Sequence, residues 1–444
     1  MTTESKSRTP FSLALIGANG FGSYHRAAID TLSREGRIRL AAVVDPAIKA
    51  MPRVEAELKG RGVRLYSDYR QYLDLDEGCD AVTIAAPIPY HFEIATRCIE
   101  LDIPIYLEKP PVPLLRQLEN LVALDKNRRV SVGFQHLCYA WMRRLKGWIV
   151  GGGFGELQHI RAGGCWPRTD AYYNRCDWSG KVMLRGRPVF DGPATNALAH
   201  LIHNIMYLAS PTPGGFSVPS EVRGELYRAR PIESYDVASL TGLFDSGLEF
   251  SLALTHATEV EEPFSLVVSG TKGWARVSSN GGLMESSFAG SEAYPLPADP
   301  DVLRESYSVF SDFAEGRSQR PDTTVGDCRG YTIATNGMLL SSGGIHDIPQ
   351  ECIKAYTSNG RKGYAVGGLA KAVSAVLAKG GTFSDVNIPW AVRTKPVSRA
   401  GIEAVDLLPY LARSLHPDAR ISPQLDGIVT QRPASVALED NVLR

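Results

Sequence analysis

Apolar positions in the first third of the chain fall into short continuous runs joined by segments of helical spacing. Phe11 to Ile16 is one such run, feeding the glycine turn "GANGFG" (17–22), and Tyr24 to Arg34 follows with helix-compatible spacing. Leu40 to Val44 is a second apolar run and ends in Asp45. "AVTIAAP" (81–87) and "PIYLEKP" (104–110) repeat the pattern, with a helical "HFEIATRCIELD" (91–102) between them. Strands that are apolar throughout and alternate with helices suit a parallel sheet covered on both faces. The prediction is an α/β domain with a doubly wound sheet.

Farther on the period shortens. "VRGELYRAR", "DVASLTGLFDSGLEFSLALTHAT", "FSLVVSG" and "GWARVSS" are β-rich with turns, which predicts an α+β domain built on a large, mainly antiparallel or mixed sheet. One face should cover the apolar helix "GPATNALAHLIHNIMYL" (192–208), leaving the other free to pair with a second subunit. A homodimer or homotetramer through this sheet is therefore expected. Residues 306–316 and "YAVGGLAKAVSAVLAKGG" read as helices, and the proline-bearing segments 386–397 and 408–433 as extended chain wrapping the core. The expected division is a tail over 1–10, a nucleotide-binding domain over 11–135, a substrate-binding and oligomerisation domain over 136–345, and an extension over 346–444.

Charge and length narrow the partners. A chain of 444 residues suggests two or three units with large cores. Lys plus Arg and Asp plus Glu number 48 each, so no basic field draws nucleic acid or an anionic membrane, and a small molecule is the expected ligand. No apolar run approaches a membrane span, and the opening "MTTESKSRTP" lacks a signal-peptide core, so a cytoplasmic location is expected. The seven cysteines are scattered without a C-x-x-C pair, which fits reduced thiols better than disulfides or a zinc site.

In the register G-x-G-x-x-G the turn has Gly17, Asn19 and Gly22, with Gly20 beside the substituted position. Strand, turn, helix, second strand and a terminal acid, Asp45, occur in the order a dinucleotide site requires. Amides at the helix N-terminus would face the pyrophosphate, while Asn19 tolerates a left-handed backbone and Gly20 gives the loop slack. Asp45 would accept from the adenosine ribose hydroxyls and repel a 2′-phosphate, which favours NAD over NADP. A turn that only joins strand to helix is the alternative.

Such a domain with "AAPIPYHFEIA" and then "YLEKPP" resembles the Gfo/Idh/MocA oxidoreductases, and the likeness continues through residues 133–162, 166–181, 192–208 and "VVSGTKGWARV". The resemblance implies NAD held by Gly17, Asn19, Gly20, Phe21, Gly22, Asp45, Ala86, Pro87, His91, Glu108 and Lys109. It implies Lys109 and His200 as the catalytic pair, a cis bond before Pro110, and sugar contacts from Arg168, Tyr172, Tyr173, Asn174, Trp178, Asn196 and His203.

The residues support part of this independently. Lys109 ends a strand at the carboxyl edge, where ligands bind in open α/β sheets, although a strand-end lysine can also reach solvent. No Asp, Glu, Lys or Arg occurs between Gly192 and Ser220, yet Asn196, His200, Asn204 and Tyr207 share one face, with His203 beside it. An uncharged polar face on a buried helix fits a cleft, or side chains that satisfy one another in the core. No carboxylate or Cys lies near His200 and His203 in sequence, so no metal is expected. Asn196 and His203 stand where many relatives have Asp, and Leu198 where they have Gly, which removes support for a protonated His200. The expected chemistry is NAD-dependent hydride transfer from a hydroxyl-bearing carbon of a sugar, polyol or glycoside. The alternatives are glycoside cleavage or elimination through a transient keto-sugar with NAD recycled, and a non-catalytic regulator that binds NAD and sugar.

Overall fold

The structure, a computed structural model, describes residues 10–75, 78–278, 283–287, 294–295 and 301–414. Six strands, β1 (Phe11–Ile16), β2 (Ile38–Val44), β3 (Arg64–Tyr66), β4 (Ala81–Ile84), β5 (Ile105–Glu108) and β6 (Val130–Gly133), form a parallel sheet in the order β3-β2-β1-β4-β5-β6. Helices α1 (Gly22–Arg34), α2 (Pro52–Gly60), α3 (Tyr69–Asp74), α4 (His91–Glu100) and α5 (Leu115–Leu124) connect them. β1 is buried at all six positions, as a strand covered on both faces must be. β3 and β6, which the sequence reading did not single out, complete the two edges. The strand order reverses between β1 and β4, so a crevice opens beyond Ile16 and Ile84.

Helix α6 (Ala140–Val150) leads into the second sheet, of ten strands: β7 (Leu157–Cys165), β10 (Pro219–Arg228), β11 (Val237–Phe244), β12 (Glu249–Thr255), β13 (Glu262–Gly270), β14 (Gly273–Ser278), β15 (Leu283–Ser286), β16 (Tyr294–Pro295), β17 (His346–Asp347) and β20 (Val397–Ser398). Between β7 and β10 lie α7 (Asp170–Tyr173), a small ribbon of β8 (Met183–Leu184) and β9 (Arg187–Pro188), and α8 (Ala199–Leu208). The order is β16-β15-β14-β13-β7-β12-β11-β10-β17, with β20 also on β10; β7 and β12 run parallel, and so do β10 and β17, while the other pairs are antiparallel. Leu201, Ile202 and Ile205 of α8 pack in one core with Ile160, Ala162, Leu252, Leu254 and Leu266 of the sheet. The Lys146 ammonium caps the far end of α8, donating to the carbonyls of Tyr207 and Ser210 at 2.6 Å each.

Helix α9 (Val302–Ala314) packs on the first domain, although the sequence reading placed it in the second. Its apolar stripe meets β1 and α1: Phe310 stands edge-on to Phe11, and Tyr307 hydroxyl lies 2.7 Å from His25 Nδ1. Periodicity identified the stripe but not the surface it covers. Helix α10 (Arg329–Ser342) lies along β10.

The remaining chain forms a hairpin of β18 (Ile353–Ser358) and β19 (Arg361–Val366), then α11 (Leu369–Lys379), α12 (Arg399–Glu403) and α13 (Leu407–Ser414). Residues 386–397 are largely irregular, as expected, but the reading of 408–433 as extended chain is corrected at its start. Leu407, Leu408 and Leu411 bury one face of a helix there, and Pro409 sits in its first turn, where proline is tolerated. Residues 415–433 lie outside the described residues.

A second correction concerns the sheet face left for a partner copy. Leu369, Ala372, Val373 and Val376 of α11 pack against Cys165, Val237 and Ala253, on the face opposite α8. The following segment is pinned by buried Glu225, which accepts from Ser384 Oγ at 2.5 Å, Tyr227 hydroxyl at 2.9 Å and Ser239 Oγ at 3.2 Å. The chain thus covers the central strands itself. Trp274 on β14, 42 % exposed, marks the part that stays open.

Candidate active site

The glycine turn is built for close approach. Gly17 has φ +96°, and a Cβ there would lie 2.6 Å from the Ala85 carbonyl oxygen; a Cβ on Gly22 would lie 2.1 Å from the Gly17 carbonyl oxygen. Both positions therefore require glycine. Gly20, not Asn19, takes the left-handed conformation (φ +55°), and exposed Asn19 accepts the Gly20 N–H with its Oδ1 at 2.8 Å. Phe21 is the N-cap residue of α1, beside open space at Gly20. Asp45, 7 % exposed, accepts from the amides of Ala18 and Ala47 at 2.8 Å each and so holds the turn against the end of β2. Each carboxylate oxygen keeps a further lone pair for a ribose hydroxyl. Cradle and acid fit a dinucleotide.

Ala86 and Pro87 continue from β4 across the crevice, where His91 joins two loops: its Nε2 lies 2.8 Å from the Ala86 carbonyl oxygen and its Nδ1 2.9 Å from that of Pro110. Burial lowers its pKa. Glu108 is buried too, contrary to its expected place on the cofactor surface. Its carboxylate accepts from Gln135 Nε2 (2.8 Å) and the Lys109 amide (3.1 Å) and lies 3.2 Å from His25 Nε2. His25 in turn meets Tyr307, whose hydroxyl donates to Thr83 Oγ1 at 3.1 Å. A buried polar chain thus fixes the strand end that carries the lysine.

The Lys109–Pro110 bond is cis, and Lys109 Nζ donates to the Asn196 carbonyl oxygen at 2.8 Å rather than pairing with Glu108. Burial lowers its pKa; the nearby carboxylates of Glu108 and Asp191 oppose that shift. The irregular turn Pro193–Ala197 before α8 presents this carbonyl and places the Asn196 amide 2.8 Å from Asp191 Oδ1 and 3.4 Å from Tyr172 hydroxyl.

His200 stacks on His136, with centroids 4.0 Å apart and planes within 10°, and its edge meets Phe134. Asn204 Nδ2 lies 3.1 Å from His136 Nδ1. Burial pushes the pKa of His136 down to about 3 and that of His200 well below the ordinary value, with Lys109 adding to both shifts. His200 is thus a neutral imidazole beside an ammonium, with no hydrogen-bond partner at Nδ1. His203 is a correction: fully buried, it stacks on Phe134 at 3.9 Å, packs against Phe216 and meets Thr323 Oγ1 at 3.2 Å, so it serves packing rather than substrate contact. Helical spacing put His200 and His203 on neighbouring faces without revealing what each face meets.

Of the expected sugar contacts, the structure gathers Arg168, Tyr172 and Asn196. The Arg168 guanidinium lies over the rings of Trp166 (4.6 Å) and Tyr172 (4.9 Å). Trp178 joins through Arg175, which lies over its ring at 5.1 Å. Tyr173 packs edge-on against Tyr172, with ring centroids 5.2 Å apart, and lies beneath Arg230, while Asn174 is an exposed residue capping α7 and does not join the cluster. Asp191, His136, Gln135 and Arg175 were missed. A signal existed for two of them: Gln135 and His136 follow β6 at the same sheet edge as Lys109. All seven cysteines are free, and among the described residues no cluster of His, Cys, Asp and Glu could hold a metal, nor is any helix long and apolar enough to cross a membrane.

A family model for the oxidoreductase family with an NAD-binding Rossmann fold, Gfo/Idh/MocA, matches residues 11–136. Inositol 2-dehydrogenase of Streptomyces avermitilis is 32% identical over 148 residues, which are 32% of this chain and 41% of that protein. The corresponding enzyme of Renibacterium salmoninarum is 31% identical over 150 residues, 33% of this chain and 43% of its own. The match thus spans about two fifths of the length of these curated relatives. Among solved structures, the WlbA dehydrogenase of Bordetella pertussis in complex with NADH and UDP-GlcNAcA superposes with a TM-score of 0.64 at 19% identity, over 75% of this chain and 96% of that one. Levoglucosan dehydrogenase in complex with NADH does so with a TM-score of 0.64 at 18% identity, over 75% and 97%. These structures share the two-domain fold.

Proposed function

Because residues 11–136 belong to the Gfo/Idh/MocA oxidoreductase family, with its NAD-binding Rossmann fold, we propose that this chain is an NAD-dependent dehydrogenase acting on a hydroxyl-bearing carbon of a sugar or polyol. One observation carries the reading: Lys109, from the nucleotide-binding domain, is bonded to the Asn196 carbonyl of the turn that leads into the helix of His200, in the second, close enough for its charge to act on that imidazole. Gly17, Gly20, Gly22 and Asp45 would hold the cofactor, with Ala86 and Pro87 lining the crevice. Bound NAD supplies the hydride acceptor.

The chain's own part is placement and proton movement. Exchanging the Asn196 carbonyl for a substrate hydroxyl would keep the Lys109 ammonium bonded and position that hydroxyl. His200, neutral and with a free ring nitrogen, would take the hydroxyl proton as the carbonyl forms. Glu108, held by Gln135 and His25, positions the strand end rather than reacting. The likeness to inositol dehydrogenases and to neighbours solved with NADH supports this class of substrate. The test is NADH formation from NAD and a panel of sugars and polyols, followed at 340 nm. The reading requires turnover with at least one compound and its loss in Lys109→Met; turnover that survives this change overturns it.

A further inference from the structure

Positive charge is concentrated on the substrate side of the cleft. The Arg175 guanidinium lies 3.6 Å from the Tyr172 ring centroid, and that of Arg168 lies 4.9 Å from the same centroid. Tyr172 hydroxyl adjoins Asn196, whose carbonyl holds the Lys109 ammonium. Three cations thus surround one tyrosine and one asparagine.

Little negative charge opposes them. Among the described residues, neither Arg168 nor Arg175 has a carboxylate within ion-pair distance; Asp170 pairs with Arg230 and Asp177 with Arg185. The hydrogen bonds of the two guanidiniums include the main-chain carbonyls of Pro167 and Tyr172, Arg175 also acts on the Tyr172 hydroxyl, and Arg168 Nε is buried without a partner. Asp191 is the carboxylate nearest the group: burial raises its pKa, while the Gly180 and Asn196 N–H donors and the charges of Arg175 and Lys109 oppose the shift, so it offsets part of the positive charge without ion-pairing to either arginine. His256, on the far side of Tyr172, is held neutral by burial and by Arg168, Arg175 and Arg230, and its Nε2 is also buried and unpartnered. Arginines kept together without an ion-paired carboxylate, on aromatic faces that fix their planes, make a site for an oxyanion.

Resting on the dehydrogenase reading above, we propose that the substrate is an acidic sugar, whose carboxylate or phosphate is held by Arg168 and Arg175 while the reacting hydroxyl lies at Lys109. Tyr172 separates the two functions: its ring carries the guanidiniums, and its hydroxyl faces the Asn196 turn.

The experiment is calorimetric titration of the NADH-loaded protein with glucuronate, gluconate, glucose 6-phosphate and glucose, at low and high salt. At least one anion should bind about tenfold or more tightly than glucose, the scale of one charge-assisted hydrogen bond, and weaken with salt. Arg168→Gln and Arg175→Gln should each remove most of that advantage while leaving NADH affinity within about twofold. The two carboxylates against the phosphate identify which oxyanion is bound. Equal affinity for glucose and all three anions, no binding by any anion, or an anion preference that survives both substitutions overturns the proposal. The two readings fail separately: NADH formation from neutral sugars alone would spare the dehydrogenase and remove the acidic substrate. Tight, arginine-dependent anion binding without NADH formation from any compound would do the reverse.

Discussion

Lys109 Nζ and the main-chain carbonyl of Asn196, 2.8 Å apart, join the residue that follows a parallel strand, β5, to the turn that starts the histidine helix. The bond crosses from one domain to the other, so Lys109 is tied to the second domain before any substrate arrives. Lys109→Met should lower turnover by about two to four orders of magnitude, and His200→Asn by a similar factor, with NAD affinity nearly unchanged. The double variant should be little worse than either single one, because residues acting as a unit are not additive. Steady-state kinetics with cofactor titration checks all three; full activity in His200→Asn would show the helix face to be packing alone.

His203→Asn separates site from core. This ring lies between Phe134 and Phe216, so its loss should destabilise the fold by about 1–3 kcal/mol and change turnover far less than His200→Asn does. Urea denaturation beside kinetics distinguishes the two effects.

NAD should bind more tightly than NADP, because the Asp45 carboxylate stands at the end of β2 and would repel a 2′-phosphate. Asp45→Ala should weaken NAD binding and narrow the preference, and also loosen the turn, since Ala18 and Ala47 lose their acceptor. Fluorescence titration of both cofactors is the measurement, and equal affinity in the unaltered protein would count against the assignment.

Stability should fall in mild acid. His136, His203 and His256 are held neutral when folded, each near 3, whereas the unfolded chain protonates them near the ordinary 6.5. Between those values the unfolded state binds more protons, so stability is full above about pH 6.5 and declines as pH drops toward 3, by up to about 1.4 kcal/mol per pH unit for each group. Urea midpoints at pH 7.5 and 5 give the slope. His136→Phe, which keeps a ring in the stack, should reduce it by about one proton.

The cover on the second sheet is testable by a single truncation. Val376 is fully buried against that face, so Val376→Ala should cost about 2 kcal/mol for the lost methyl groups and the cavity they leave. No change in the urea midpoint would mean that α11 contributes nothing to the fold.

Much of this was legible in the sequence because local signals and tertiary roles coincided. Gly17, Gly22 and Asp45 sit at positions where backbone geometry leaves few choices, and Lys109 follows a strand too apolar to lie anywhere but inside a sheet. Legibility failed where a role depends on a neighbour distant in the chain. His203 and His200 differ by three positions, and only the arrival of Phe134, His136 and Thr323 gives them different tasks. Arg175 lies in a loop without periodicity, and Glu108 is withdrawn from the surface by Gln135 and His25. The segment of α11 read as a helix, but not as one that lies on the face expected to meet another subunit.

That last feature bears on dilution. A sheet face protected by a second copy is protected only while copies associate, so its integrity varies with protein concentration. Here the protecting helix is tethered to the strands it covers, at an effective concentration set by chain length and unaffected by the number of molecules in solution. The urea midpoint contributed by this face should therefore be the same at nanomolar and micromolar protein.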